Sequence, residues 1–205
     1  MEQANFNPTI YTPAEYFALE AQSNERHGYF DGELFTMAGA SKKHNRIANN
    51  VARLSFDELD ERGCQLFTAD VRVAVQEGRH YTYPDLVVSC DPDDQRDEYL
   101  VRHPVLLVEI TSPGTEEYDH NQKFQQYRQL ASLRHYVLIS QNCWFVNWFQ
   151  RSEAGEWVLT QLSGPDAVLE IADLGLRWPL ADVYAATGVP PLWVGPLPIR
   201  EDETF

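Results

Sequence analysis

The spacing of apolar positions changes along the chain in a definite order. Ile47, Val51 and Leu54 recur at helical spacing, with Ala48, Ser55 and Leu59 beside them. This predicts a long amphipathic helix from a Ser41 cap to Arg62, stopped by Gly63. Cys64 to Val75, Tyr83 to Cys90 and Pro104 to Thr111 are short runs rich in β-branched residues, so three strands are expected, the first kinked near Asp70. Phe124, Tyr127 and Ala131 restore helical spacing over roughly Glu116 to Leu133, and His135 to Ser140 returns as a strand. The order is helix, three strands, helix, strand.

Shorter elements flank this unit. Thr12-Pro13-Ala14-Glu15 sets a capping threonine, a first-turn proline and an N3 glutamate, which predicts a short helix to about Leu19. Tyr29 to Phe35 reads as a hairpin about Asp31-Gly32. Downstream, Cys143 to Arg151 and Trp157 to Leu162 form an expected hairpin, Val168 to Leu174 a strand, and Leu180 to Thr187 a short helix ended by Gly188. The proline-bearing stretch 189–205 reads as an extended arm. The expectation is one α/β domain (α+β, mixed sheet) over residues 1–205, with a core at about 41–140.

Two acids interrupt this pattern. Val105 to Ile110 is apolar on both faces, as a covered central strand would be, yet Glu109 stands near its end. Tyr83-Pro84-Asp85-Leu86-Val87-Val88 places Asp85 at the entry to a second buried strand. A buried carboxylate costs several kcal/mol unless it is paired or binds a metal. One such acid is commonly a structural ion pair, but two on consecutive strands point to oxygen ligands for a hard divalent ion. Lys123 lies on the edge of the inward stripe of the second helix: either it snorkels over apolar surface, or it provides a fixed cation beside the acids. Lys42, Lys43, His44 and Arg46 crowd the first turns of the helix capped by Ser41, against the macrodipole. They are either a screened charge cluster or a phosphate-binding patch.

Composition changes this picture in two ways. The chain has 205 residues, 43% apolar, enough for a sizeable core. Its 31 acidic and 16 basic residues give a net charge of −15, which excludes DNA binding by bulk electrostatics and requires a local basic patch. Cys64, Cys90 and Cys143 lack metal-ligand spacing and are read as small buried apolar residues in a reducing compartment. No secretory leader or membrane-spanning run is visible, so a cytoplasmic, membrane-free protein is expected.

These residues resemble the PD-(D/E)XK nuclease superfamily and, within it, the Uma-two family of restriction-endonuclease-like proteins. The likeness is carried by Asp31-Gly32-Glu33-Leu34, Met37 to Ala40, His44 to Ile47, Asp70 to Val73, Tyr83-Pro84-Asp85, Val108-Glu109-Ile110 and Asp119 to Tyr127, from about Tyr16 to Tyr184. The resemblance implies a restriction-endonuclease-like core and a DNA endonuclease using Mg²⁺ or Mn²⁺. Asp85, Glu109 and the carbonyl of Ile110 would hold the metal. The superfamily lysine belongs two residues after the second acid, where this chain has Thr111; Lys123 matches the position to which this branch has moved it. The resemblance further suggests Glu33 as an added acid and Asp70, Asp119 and Tyr127 as supporting residues. Thr111 and the acidic total leave open a nuclease-like fold that binds nucleic acid or protein without turnover. A homodimer is also expected. Trp144, Val146 and Trp148 alternate with Phe145 and Phe149, so one face of this hairpin needs cover from the arm or a second subunit.

Overall fold

The computed structural model describes residues 9–37, 39–112 and 118–192; the side chains of residues 118–120 are also outside the description. Helix α1 (Pro13–Glu20) starts in a closed capping box, with the Thr12 hydroxyl accepting from the Glu15 amide and the Glu15 carboxylate accepting from the Thr12 amide. Strands β1 (His27–Phe30) and β2 (Glu33–Thr36) make the hairpin, and Asp31 and Gly32 take the positive φ values that its turn requires. Helices α2 (Lys42–Arg53) and α3 (Phe56–Glu61) lead into β3 (Gln65–Thr68), β4 (Arg72–Gln76), β5 (His80–Thr82), β6 (Leu86–Ser89), β7 (Leu100–Val101) and β8 (Pro104–Thr111). A π-helical turn over Tyr118–Lys123 runs into α4 (Phe124–Tyr127). Then come β9 (His135–Ser140), β10 (Phe145–Arg151), β11 (Trp157–Ser163), β12 (Val168–Ile171), β13 (Leu176–Pro179) and α5 (Leu180–Val183).

The main sheet has the order β11-β10-β9-β8-β6-β3. Only β8 and β9 run parallel in it, and parallel neighbours need a crossover, which is where α4 sits. Both faces of β8 are covered, which explains its apolar run. Leu106, Val108 and Ile110 pack in one layer with Ile47 and Val51 of α2 and with Trp178 and Leu180, while Leu107 packs in the other with Tyr127, Leu130 and Leu133. A second sheet, β2-β1-β5-β4-β7, stands beside it.

Several expectations are corrected. The helix from Ser41 to Arg62 is two helices, because buried Ser55 at the break donates to the Val51 carbonyl and accepts from the Trp178 indole, a tertiary contact that overrides local propensity. The kink near Asp70 is a crossing between sheets: Ala69 and Asp70 both have positive φ, and β3 and β4 belong to different sheets. The strand begun at Tyr83 starts at Leu86, after β5 has ended in the other sheet. The helix placed at Glu116 to Leu133 is confined to the π turn and α4, with Glu116 and Glu117 outside the described residues. The Cys64 and Cys90 reading is also overturned, since extending the β3–β6 register sets them opposite each other and they form a disulfide. Cys143 remains a free thiol. Closing a loop across a separation of 26 residues restricts the unfolded chain by about 3 kcal/mol. Replacing both cysteines by serine should therefore lower the melting temperature by several degrees, and calorimetry with and without reductant checks it.

The aromatic hairpin is covered from within the chain. Trp144, Val146 and Trp148 face the layer of Trp178 and Tyr184, while Phe149 stacks on Phe124 with ring centres 4.2 Å apart. The start of the arm lies along Trp144, whose indole donates to the Val189 carbonyl at 2.7 Å. The rest of the arm, 193–205, is outside the described residues.

Candidate active site

In the β6–β8 ladder Leu86 faces Val108 and Val87 faces Leu107, so continuing the register by one residue sets Asp85 opposite Glu109. Asp85 Oδ2 accepts the Ile110 amide at 2.7 Å. That bond places the Ile110 amide on the β6 side, and its carbonyl points the same way. One step further in register comes Pro84, which has no N–H to offer that carbonyl. Asp85, Glu109 and the Ile110 backbone are therefore neighbours at the end of the sheet.

Each acid has its own polar partners, drawn from opposite layers. His44, on α2, places Nε2 3.1 Å from Asp85 Oδ2. Glu109, only 4% exposed, accepts the Tyr127 hydroxyl at 2.8 Å and has Lys123 Nζ 3.0 Å from the same oxygen. Burial, reinforced by the Glu109 charge and opposed by Lys123, holds the Tyr127 phenol well above its usual pKa, so it remains a donor. His80, on β5, is pushed down to about 4 by burial, with the charge of Asp31 opposing and that of Lys123 assisting. It is neutral at physiological pH. Among the described residues no group of three or more His, Cys, Asp or Glu side chains is arranged to hold a metal. The donors that fit a hard ion are two carboxylates and one backbone carbonyl, with water completing the shell.

The Asp85 side opens into a groove of about 520 Å³ bordered by Arg26, His44, Asn45, Asp70, Tyr83 and Asp85. A second concavity of about 670 Å³ adjoins it through Ala40, Asn45 and Asn49, and Lys42, Lys43 and Arg46 line it. Ser41 ties this helix start to the end of the sheet: its hydroxyl accepts the His44 amide and donates to Gln141 at 2.5 Å, while the Gln141 amide donates to the Thr111 carbonyl. His44 thus differs from the three cations beside it, because it is turned toward Asp85.

The remaining candidates are placed less centrally. Asp70 is exposed on the groove rim, 3.5 Å from Arg26. Glu33 is exposed on the outer strand β2, and its side chain makes no hydrogen bond or ion pair among the described residues. The Asp119 side chain lies outside the described residues. Thr111 is buried at the end of β8. Sequence reasoning missed the pairing of His44 with Asp85, and a histidine three residues after a helix cap carried no signal for it. It also missed Tyr83, whose hydroxyl donates to buried Glu20 at 2.5 Å and accepts from Arg72, fixing the segment that enters Asp85.

A mixed sheet with helices on both faces and two acids at adjoining strand ends is the frame of a restriction-endonuclease-like nuclease. A crystal structure described as "a putative nuclease belonging to DUF820", from Anabaena variabilis, has this fold: the TM-score is 0.70 at 17% identity, over 85% of this chain and 97% of that one. The model of the Uma2 family, described as "Putative restriction endonuclease", matches residues 13–184, and the chain belongs to that family. Two Synechocystis proteins are also similar. "Uncharacterized protein slr1290" is 32% identical over 84% of this chain and 90% of its own length, and "Uncharacterized protein sll1609" is 36% identical over 80% and 93%.

Proposed function

We propose that the chain is a metal-dependent DNA endonuclease that hydrolyses phosphodiester bonds and works as a homodimer. The observation that carries this reading is the contact of Lys123 with Glu109, on the strand whose register brings Glu109 opposite Asp85. Asp85, Glu109 and the Ile110 carbonyl would hold Mg²⁺ or Mn²⁺, which when bound supplies Lewis acidity toward water and phosphate. Lys123 stabilises charge developing on the phosphate, in place of a lysine at Thr111. Tyr127 orients Glu109, and His44 with the Ile110 amide orients Asp85. Lys42, Lys43 and Arg46 contact the DNA backbone beside the cleft, the local basic patch that a chain of net charge −15 needs. Asp70 supports the site from its margin and Glu33 is a more distant acid, while Asp119 is kept as a supporting residue on the family resemblance alone. A DNA substrate favours a cytoplasmic setting, against which the Cys64–Cys90 disulfide weighs. No helix among the described residues is long and apolar enough to cross a membrane.

A second reading, a nuclease-like module that binds without turnover, draws on Thr111 and the acidic total. Incubation with supercoiled, linear and single-stranded DNA, in Mg²⁺, in Mn²⁺ and in EDTA, separates the two. The expected result is cleavage in either metal and none in EDTA. DNA binding without cleavage under every condition would favour the module.

A further inference from the structure

We propose that β11 is the surface through which two copies of this chain associate, by pairing antiparallel across a two-fold axis into one continuous sheet. This interface rests on the homodimer proposed above. The two edges of the main sheet differ. Strand β3 has four residues and continues into Cys64, which is tied to the neighbouring strand by the disulfide. Strand β11 has seven residues, no charge and no proline, and it pairs with β10 in unbroken register, without a bulge. Among the described residues nothing pairs with its outer side. Charges, prolines, bulges and short length are the features that keep edge strands from pairing, and β11 has none of them.

Its side chains fit the same occupant. Val158 and Leu159 are 54% and 41% exposed, on opposite faces of the strand. Leu159 ends an apolar row that crosses the sheet through Tyr136 and Phe149. Pairing centred on Thr160 sets Val158 opposite the partner's Leu162, and the two-fold repeats that contact. A chain of net charge −15 repels its copies over most of its surface, so a charge-free strip is where a second copy can approach. The contact is small, and a dissociation constant in the micromolar range is expected. On this axis the two β8 strands run in opposite directions, so the clefts open at opposite ends of the joined sheet and nick independently.

Sedimentation velocity of the full chain, from below to above micromolar concentration, tests the proposal. Alongside it, hydrogen exchange measures the β11 amides at the two extremes. Wild type should pass from monomer to dimer, with the β11 amides that point away from β10 protected only in the dimer. The variant carrying Val158→Lys and Leu159→Lys should stay monomeric with an unchanged melting temperature. A dimer that persists in this variant would overturn β11 as the interface while leaving the homodimer intact. A wild type that is monomeric throughout would overturn both. If that monomer dimerises once residues 193–205 are removed, the occupant of the edge is this chain's own arm. Loss of cleavage in a protein that still dimerises would count against the nuclease reading alone.

Discussion

Asp85→Asn and Glu109→Gln should each lower the rate of DNA cleavage by about a thousandfold or more, since each removes a charged oxygen ligand from a site with few others. Their effects on folding should differ. Asp85 is partly exposed, and asparagine can still accept from Ile110 and His44, so the Asp85→Asn melting temperature should stay within a few degrees of wild type. Glu109 is buried against Lys123 and Tyr127. Glu109→Ala should therefore destabilise the protein by about 2–4 kcal/mol, because it takes a carboxylate partner away from an ammonium and a phenol held at a desolvated position. Two acids read from sequence alone suggest mutual repulsion that alanine would relieve. The structure gives each acid its own polar partner and reverses the sign for Glu109. Denaturant titrations in EDTA measure this without the metal. Equal stability of Glu109→Ala and wild type would contradict the buried pair.

Lys123→Ala should reduce turnover by about 10²–10³-fold, the scale seen when one preorganised charge-stabilising donor is lost. DNA affinity should change by less than about threefold if, as proposed, backbone affinity comes from the basic start of α2. Single-turnover kinetics and a binding titration in Ca²⁺ separate the two quantities. Lys42→Ala with Lys43→Ala serves as the converse control, raising the dissociation constant and flattening its salt dependence while sparing the single-turnover rate at saturation. Unchanged turnover in Lys123→Ala would remove the lysine from the mechanism.

The fold was legible wherever local pattern and tertiary environment agree. Strands β8 and β9 match their apolar runs to the residue, and the α1 capping box was readable in four letters. Reading failed where distant contacts decide. Nothing near Ser55 announces that Trp178 will reach its hydroxyl and divide the helix, and three-residue β5 is too short to show a period. Strand β13 alternates too briefly to stand out beside β12. At the site, Asp85 and Glu109 stood out because charges beside or within buried apolar runs are costly, whereas spacing left Lys123 between two readings and the family resemblance singled it out. The pairing of His44 with Asp85 was hidden because the two are 41 residues apart.

Two of the places where the main chain passes between the two sheets touch each other. One crossing is Ala69-Asp70 and the other runs from Tyr83 to Asp85, and the Ala69 amide donates to the Asp85 carbonyl at 3.0 Å. Asp85 therefore stands at a joint that the two crossings share, braced by a hydrogen bond from outside its own strand. Neither crossing can shift without breaking that bond, so the peptide that carries the acid is held by two segments of chain instead of one.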